Sequence, residues 1–170
     1  MPRVMTREFT PMGRVVVQAK IENFTDLTDA HRGMLDDDAV RSVTVPDALI
    51  DTGATMVSLP KSMIDELGLT LVRRRPMRTA GGTVETGHYS AVRLTVQDRD
   101  CVIDVLELPE GVPPLIGQVP LELLDFVVNP VDRTLIGNPR HDGEWMYEAY
   151  AADPGGPDGL PGAPDAARGD

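Results

Sequence analysis

Residues 48–60, Ala-Leu-Ile-Asp-Thr-Gly-Ala-Thr-Met-Val-Ser-Leu-Pro, constrain the fold of this chain more than any other stretch. The apolar run Ala48-Leu49-Ile50 stops at Asp51-Thr52-Gly53-Ala54, and a second apolar run, Met56-Val57 with Leu59, follows at once. A carboxylate between segments that read as buried strand costs free energy to desolvate unless it is hydrogen-bonded or has a chemical task. Thr52 supplies a hydroxyl, and Gly53 lets backbone come close or take a positive φ. Asp-Thr-Gly is also ordinary turn chemistry. A surface turn, however, sits between polar residues, whereas this one sits between two apolar runs.

At 170 residues the expectation is one domain with room for a real core. Aromatic residues are few and β-branched residues many, so that core should be rich in Val, Ile and Leu and built mostly from strands. Fifteen prolines and sixteen glycines supply many turns. The formal net charge of −11 argues against a nucleic-acid partner, which requires a basic face. The single cysteine, Cys101, permits no internal disulfide, and its setting in Cys101-Val102-Ile103 reads as core packing, so a reducing cytoplasm is the expected location. No apolar run approaches the length of a membrane span, and the first residues lack a signal-peptide apolar core.

Along the chain, residues 1–12 read as an irregular arm and 13–21 as a first strand. Residues 23–40 are polar and acidic and read as a long connection with room for one short helix. Val43-Thr44-Val45 resumes strand character, and Pro46 places an edge or a bulge there, since proline has no N–H for a ladder. Ser58 or Leu59 to Leu67 reads as a short helix, with Pro60 in its first turn and Gly68 past its end. Extended segments at 69–72 and 76–79 and a return strand at 84–96 flank Ala80-Gly81-Gly82-Thr83, which makes a hairpin. Cys101 to Leu108 is a further strand. Leu115-Ile116-Gly117 precedes a short helix at 120–125, and strands at 126–128 and 134–136 follow. The Pro/Gly/Asp-rich residues 151–170 read as a disordered tail, which leaves 13–150 as the folded domain.

Three of these features together resemble the retropepsin-like aspartic proteases, the single-domain clan AA form, in its bacterial type. They are the Asp51-Thr52-Gly53-Ala54 loop, the Gly-tipped hairpin, and Leu115-Ile116-Gly117 with a helix behind it. The resemblance spans roughly residues 13–139. It implies a mostly β fold, a closed β-barrel or acid-protease half with one or two short helices. It implies that Asp51 is catalytic, that Thr52, Gly53 and Ala54 complete its loop, and that Thr79, Ala80, Gly81, Gly82 and Thr83 form a flap over substrate. It further implies that Leu115, Ile116 and Gly117 support the loop by close backbone approach. The acidic insertion at 23–40, Pro46, Gln118 and both tails fall outside the family pattern.

Such an enzyme needs two carboxylates sharing one proton, because two like charges in contact do not both ionise. This chain holds one Asp-Thr-Gly. The expected enzyme is therefore a homodimer in which Asp51 of each subunit meets on the axis, acting on a peptide or protein substrate with no cofactor and no metal. The alternative is a catalytically silent dimeric module that keeps the fold for protein recognition. His31, His88 and His141 are scattered, and His141-Asp142-Gly143-Glu144 reads as a polar turn before it reads as a set of metal ligands.

Overall fold

The computed structural model describes residues 14–148. The expected arm at 1–12 and tail at 151–170 lie outside the described residues. Nine strands and three short α-helices follow one another: β1 (Val15–Asn23), α1 (Phe24–His31), β2 (Ser42–Ile50), β3 (Val57–Pro60), α2 (Lys61–Glu66), β4 (Leu71–Thr79), β5 (Gly82–Val96), β6 (Arg99–Leu108), β7 (Leu115–Ile116), α3 (Gln118–Leu123), β8 (Phe126–Asn129) and β9 (Thr134–Gly137). None of the helices is long and apolar enough to cross a membrane.

Seven strands form one curled sheet in the order β1-β2-β7-β3-β6-β5-β4, and β1 also pairs with β5. The pairings thus run round a circuit, β1-β2-β7-β3-β6-β5 and back to β1, while β4 hangs outside it as an edge strand. A separate hairpin joins β8 to β9. Between Val17↔Ala48 and Ala19↔Val45 the β1–β2 register skips, so Pro46 and Asp47 together face Gln18. This is the bulge that Pro46 predicts: the missing N–H falls where the ladder is already interrupted.

The period-2 pattern of β5 decides what fills the inside. Val92, Leu94 and Val96 are buried, and they meet Ala19 and Ile21 of β1, Val57 and Leu59 of β3, Val105 of β6 and Ile116 of β7. Each large aliphatic side chain buried in this way contributes roughly 1.5–3 kcal/mol. Ile64 and Leu67 close the core from the α2 side. Cys101 belongs to the same core, and burial pushes its thiol up to about 12, so it is inert packing.

One expectation is corrected, and the short helix for which 23–40 has room is met by α1. The helix expected from Ser58 or Leu59 begins only at Lys61, because Val57–Pro60 is strand, parallel to Val105–Leu108 of β6. Sheet pairing on both sides overrides the capping signal of Ser58. The acidic stretch 23–40 is more ordered than a connection. Asn23 caps α1 by accepting from the N–H groups of Thr25 and Asp26, and its own Nδ2 donates to Leu67 O at 2.9 Å. Asp26 then takes Arg41 in a fork, Nε and Nη2 each at 2.7 Å, which holds its carboxyl below the usual range. The Arg41 guanidinium lies over Gly68, where φ is +61° and a Cβ would sit 1.7 Å from Nη1. The positive φ favours glycine there, and a larger residue would have to displace the Arg41 guanidinium from its place beside Asp26.

Candidate active site

The loop that carries Asp51 leaves β2 and re-enters the sheet as β3. The two-residue β7 sits between those strands, parallel to β2 (Leu49↔Leu115, Ile50↔Ile116) and antiparallel to β3 (Val57↔Ile116, Ser58↔Leu115). The Asp51 N–H donates to Ile116 O at 3.0 Å. Beyond β7, the first backbone N–H groups around α3 have no intrahelical partner, and they donate into the loop. Gly117 N reaches Met56 O at 3.1 Å, Gln118 N reaches Ala54 O at 2.8 Å, and Val119 N reaches Thr55 O at 3.0 Å. The loop carbonyls and the helix amides satisfy one another.

This stitching requires glycine at 117. A Cβ there would lie 2.6 Å from Ala54 O, 2.7 Å from Met56 O and 2.7 Å from Thr55 C. All three are backbone atoms, so no rotamer change relieves the clash. Ile116 and Gly117 are therefore in direct contact with the Asp51 loop, while Leu115 pairs with Leu49 and Ser58 in the strands on either side of it.

Within the loop, the Ala54 N–H closes a turn on Asp51 O at 3.0 Å. The Gly53 N–H donates to Asp51 Oδ1 at 2.9 Å, the one hydrogen bond that the carboxylate accepts among the described residues. Asp51 is half-buried, and Thr52 is exposed with its hydroxyl unpaired among the described residues. A carboxylate with most of its acceptor sites open is available for chemistry.

Asp51 lies in a pocket of about 420 Å³ together with Gly53, Ala54 and Thr55 of the loop. The end of β4, with Met77, Arg78 and Thr79, and Ala80 just past it also line this pocket. Ser58, Leu106, Leu108 and Leu115 complete it. Of the residues expected in a flap, Thr79 and Ala80 thus share a pocket with Asp51, while Gly81, Gly82 and Thr83 stand at the hairpin tip outside its lining. Gly82 has φ +120°, a conformation that L side chains rarely adopt, and the Thr79 hydroxyl donates to its carbonyl at 2.8 Å.

Only the root of this hairpin is tied to the rest of the sheet. Pairing of β5 with β6 begins at His88↔Leu106, so residues 82–87 of β5 pair with β4 alone and project as a two-stranded arm. At the root, Tyr89 OH donates to Glu107 Oε2 at 2.8 Å, and burial together with that bond pushes the phenol up to about 12. His88 Nε2 meets Asp104 Oδ2 at 2.8 Å, and Thr86 Oγ1 donates to Glu107 O at 2.7 Å.

Met77, Arg78, Ser58, Leu106 and Leu108 line the pocket without having been singled out in the sequence. Strand alternation could have placed Met77 on the face of Thr79, but nothing local marks Arg78. A slightly larger groove of about 470 Å³, lined by Val17, Gln18, Lys20, Thr95 and Gln97, holds no carboxylate. His141 does not join Asp142 and Glu144 around a metal position. Its Nδ1 bonds Asp125 Oδ2 at 2.6 Å and its Nε2 bonds Glu148 Oε1 at 3.0 Å. Among the described residues no group of three or more His, Cys, Asp or Glu is placed to hold a metal ion.

No curated protein matches the chain. A family model described as aspartyl protease matches residues 33–119, from ahead of β2 to the first turn of α3. The matched span includes Asp51, the β4–β5 hairpin and Gly117, and it covers more than half of the chain. With its mostly β architecture and curled sheet, the chain belongs to the retropepsin-like aspartyl protease family.

Proposed function

We propose that this protein is an aspartic endopeptidase whose working form is a C2 homodimer, with one Asp51 from each subunit forming the catalytic dyad. The observation that carries the reading is the state of Asp51. It is half-buried at the floor of a pocket, accepts one hydrogen bond from Gly53, and belongs to the one Asp-Thr-Gly in the chain. The exposure of Thr52, with its free hydroxyl, suits a loop that faces a second copy of itself.

In this mechanism the two carboxylates share one proton and hold a water between them. The ionised carboxylate takes a proton from the water as its oxygen attacks the scissile carbonyl carbon. The protonated carboxyl gives its proton to the carbonyl oxygen, which produces a tetrahedral diol. Collapse of the diol breaks the C–N bond, and the departing amine takes a proton from the dyad. The β4–β5 arm would close over the substrate and exclude water. No cofactor or metal enters any step. The single, buried Cys101 suits work in a reducing cytoplasm.

The test is digestion of a peptide library by wild type and Asp51→Asn side by side, with light scattering at the assay concentration. Expected are cleavage by wild type, none by the variant, and a dimer in both. A strictly monomeric species with full activity would sink the dyad. Cleavage by neither protein would favour the silent recognition module.

A further inference from the structure

The strand whose end lines the Asp51 pocket is the most basic segment of an acidic chain. Arg73, Arg74, Arg75 and Arg78 fall within one strand, β4, while the chain as a whole carries a net charge of −11. All four are exposed. Among the described residues none is in an ion pair, whereas Arg41 is held by Asp26 and Arg93 by Glu22. An opposite charge directly across the ladder would stabilise each of the four. Here the cross-strand partners are His88, Gly87, Thr86 and Thr83, and none is a carboxylate.

The arginines also occupy a strand that can receive another chain. β4 is at the end of the sheet order and pairs only with β5, so its outer edge presents unused backbone N–H and C=O groups. Charges on an edge strand guard against association, but lysine is the ordinary guard. Arginine adds a planar fork that grips a carboxylate with two parallel bonds. Arg78 is the member of the set that lines the pocket holding Asp51.

We propose that Arg78, supported by the field of Arg73, Arg74 and Arg75, makes this site selective for acidic peptides, with an Asp or Glu side chain of the substrate close to the bond that is cut. The proposal rests on the endopeptidase reading and adds its substrate class. An acidic segment lies along β4, its carboxylate meets the Arg78 guanidinium, and that contact sets its register over Asp51. The other arginines raise the local concentration of acidic peptide, which the net negative charge of the protein would otherwise repel.

The experiment uses the full chain and a random decapeptide library, scoring the residues on either side of each cut. Wild type should enrich Asp or Glu at one position near the cut by at least about threefold. The best-cleaved acidic peptide is then compared with its Gln or Asn analogue. Arg78→Gln should lower kcat/KM on the acidic peptide about tenfold more than on the analogue, the scale of one charge-assisted contact. Arg78→Glu should turn the enrichment towards Lys and Arg. The wild-type preference should shrink between 0.01 M and 1 M salt, as the screening length falls from about 30 Å to about 3 Å.

The outcomes separate the two readings. No cleavage of any library member overturns the endopeptidase reading itself. Cleavage without acidic enrichment, or enrichment that survives in Arg78→Gln, overturns only the selectivity. Loss of the dimer or aggregation of Arg78→Gln with unchanged selectivity assigns the arginine to association and also overturns it. So does tighter binding of a single-stranded oligonucleotide than of the acidic peptide to the Asp51→Asn protein, measured by fluorescence anisotropy.

Discussion

Asp51 and Asp125 are two aspartates in similar sequence settings, each close to an apolar strand, yet their surroundings differ in kind. Asp51 accepts one hydrogen bond, from Gly53 in its own loop, and opens on a pocket. Asp125 is buried, and its two oxygens are filled by three donors: Asn138 Nδ2 at 2.8 Å, His141 at 2.6 Å and the Met146 N–H at 3.1 Å. Burial pushes the Asp125 carboxyl up, but the bonds from His141, Asn138 and Met146 outweigh it and hold the carboxyl below its ordinary value. A buried carboxylate whose two oxygens both accept hydrogen bonds from the protein is closed to substrate, so Asp125 fastens the chain that follows β9 to the end of α3. Arg99 completes that fastening by donating to the carbonyls of Leu124 and Asp125 while its guanidinium lies 4.5 Å from the centre of the Phe126 ring. The loop of Asp51 is no less firmly held, but backbone atoms hold it, which leaves its side chain free.

Exchanging each aspartate for asparagine breaks the comparison most directly. Asp51→Asn should lower peptide cleavage by at least about a thousandfold, because an amide keeps the shape but cannot act as base. Its thermal stability should stay within about 0.5 kcal/mol of wild type, since the amide oxygen can still accept from Gly53. Asp125→Asn should do the reverse, lowering the melting temperature while retaining cleavage chemistry at temperatures where the protein is folded. Asparagine tolerates the left-handed backbone at this position, φ +53°, so the loss reports the carboxylate and not strain. Activity assays and thermal melts on both variants check the crossing, and a stable, inactive Asp125→Asn would contradict it.

Hydrogen exchange sharpens the same contrast. The amides from Arg78 to Val84, on an arm paired with nothing but itself, should exchange at least about a hundredfold faster than those of Leu49 and Ile50. The Met146 amide, held by Asp125, should side with the slow set. Protection at the hairpin tip equal to that of Leu49 would show that the arm is not a lid.

Gly117→Ala tests the backbone half of the comparison. The added methyl must displace the Asp51 loop, and a destabilisation of about 1–3 kcal/mol is expected from overpacking of this sort. Cleavage should fall by more than the loss of folded protein explains, because the loop itself moves. Denaturant titration beside kcat separates the two effects.

The smallest effect is that of pH on the Asp125–His141 pair. Its hydrogen bond to Asp125, and after that the one to Glu148, raises His141 above its ordinary 6.5. That contribution is complete below 6.5 and is lost as pH rises through the raised value. Asp125 is lowered from 3.8, so its contribution is present above 3.8 and is lost as pH falls through the lowered value. Together they should stabilise the fold most between about pH 4 and about pH 6.5. His141→Gln should flatten the alkaline side of that window, as read from melting temperatures at pH 5 and pH 8. An unchanged slope would show that the pair carries no linkage.

Local chemistry is legible from the residues alone. A carboxylate between two apolar runs, an interrupted strand at Pro46, a glycine-tipped turn at 80–83 and the alternation of Val92, Leu94 and Val96 are each written within a few neighbouring residues. The polar turn at His141 was legible too, though not its tie to Asp125. The other features depend on partners far along the chain. Ser58 is strand and not helix cap because β6 and β7 flank it. The acidic stretch after Asn23 orders itself on Arg41 and Leu67. Arg78 and Asp51 line one pocket although 27 residues separate them in the chain. Glycine at 117 is required by a loop that no neighbouring residue predicts. Local patterns encode which backbone states a segment prefers, whereas a site is a set of distances between segments, and those distances exist only once the chain has closed.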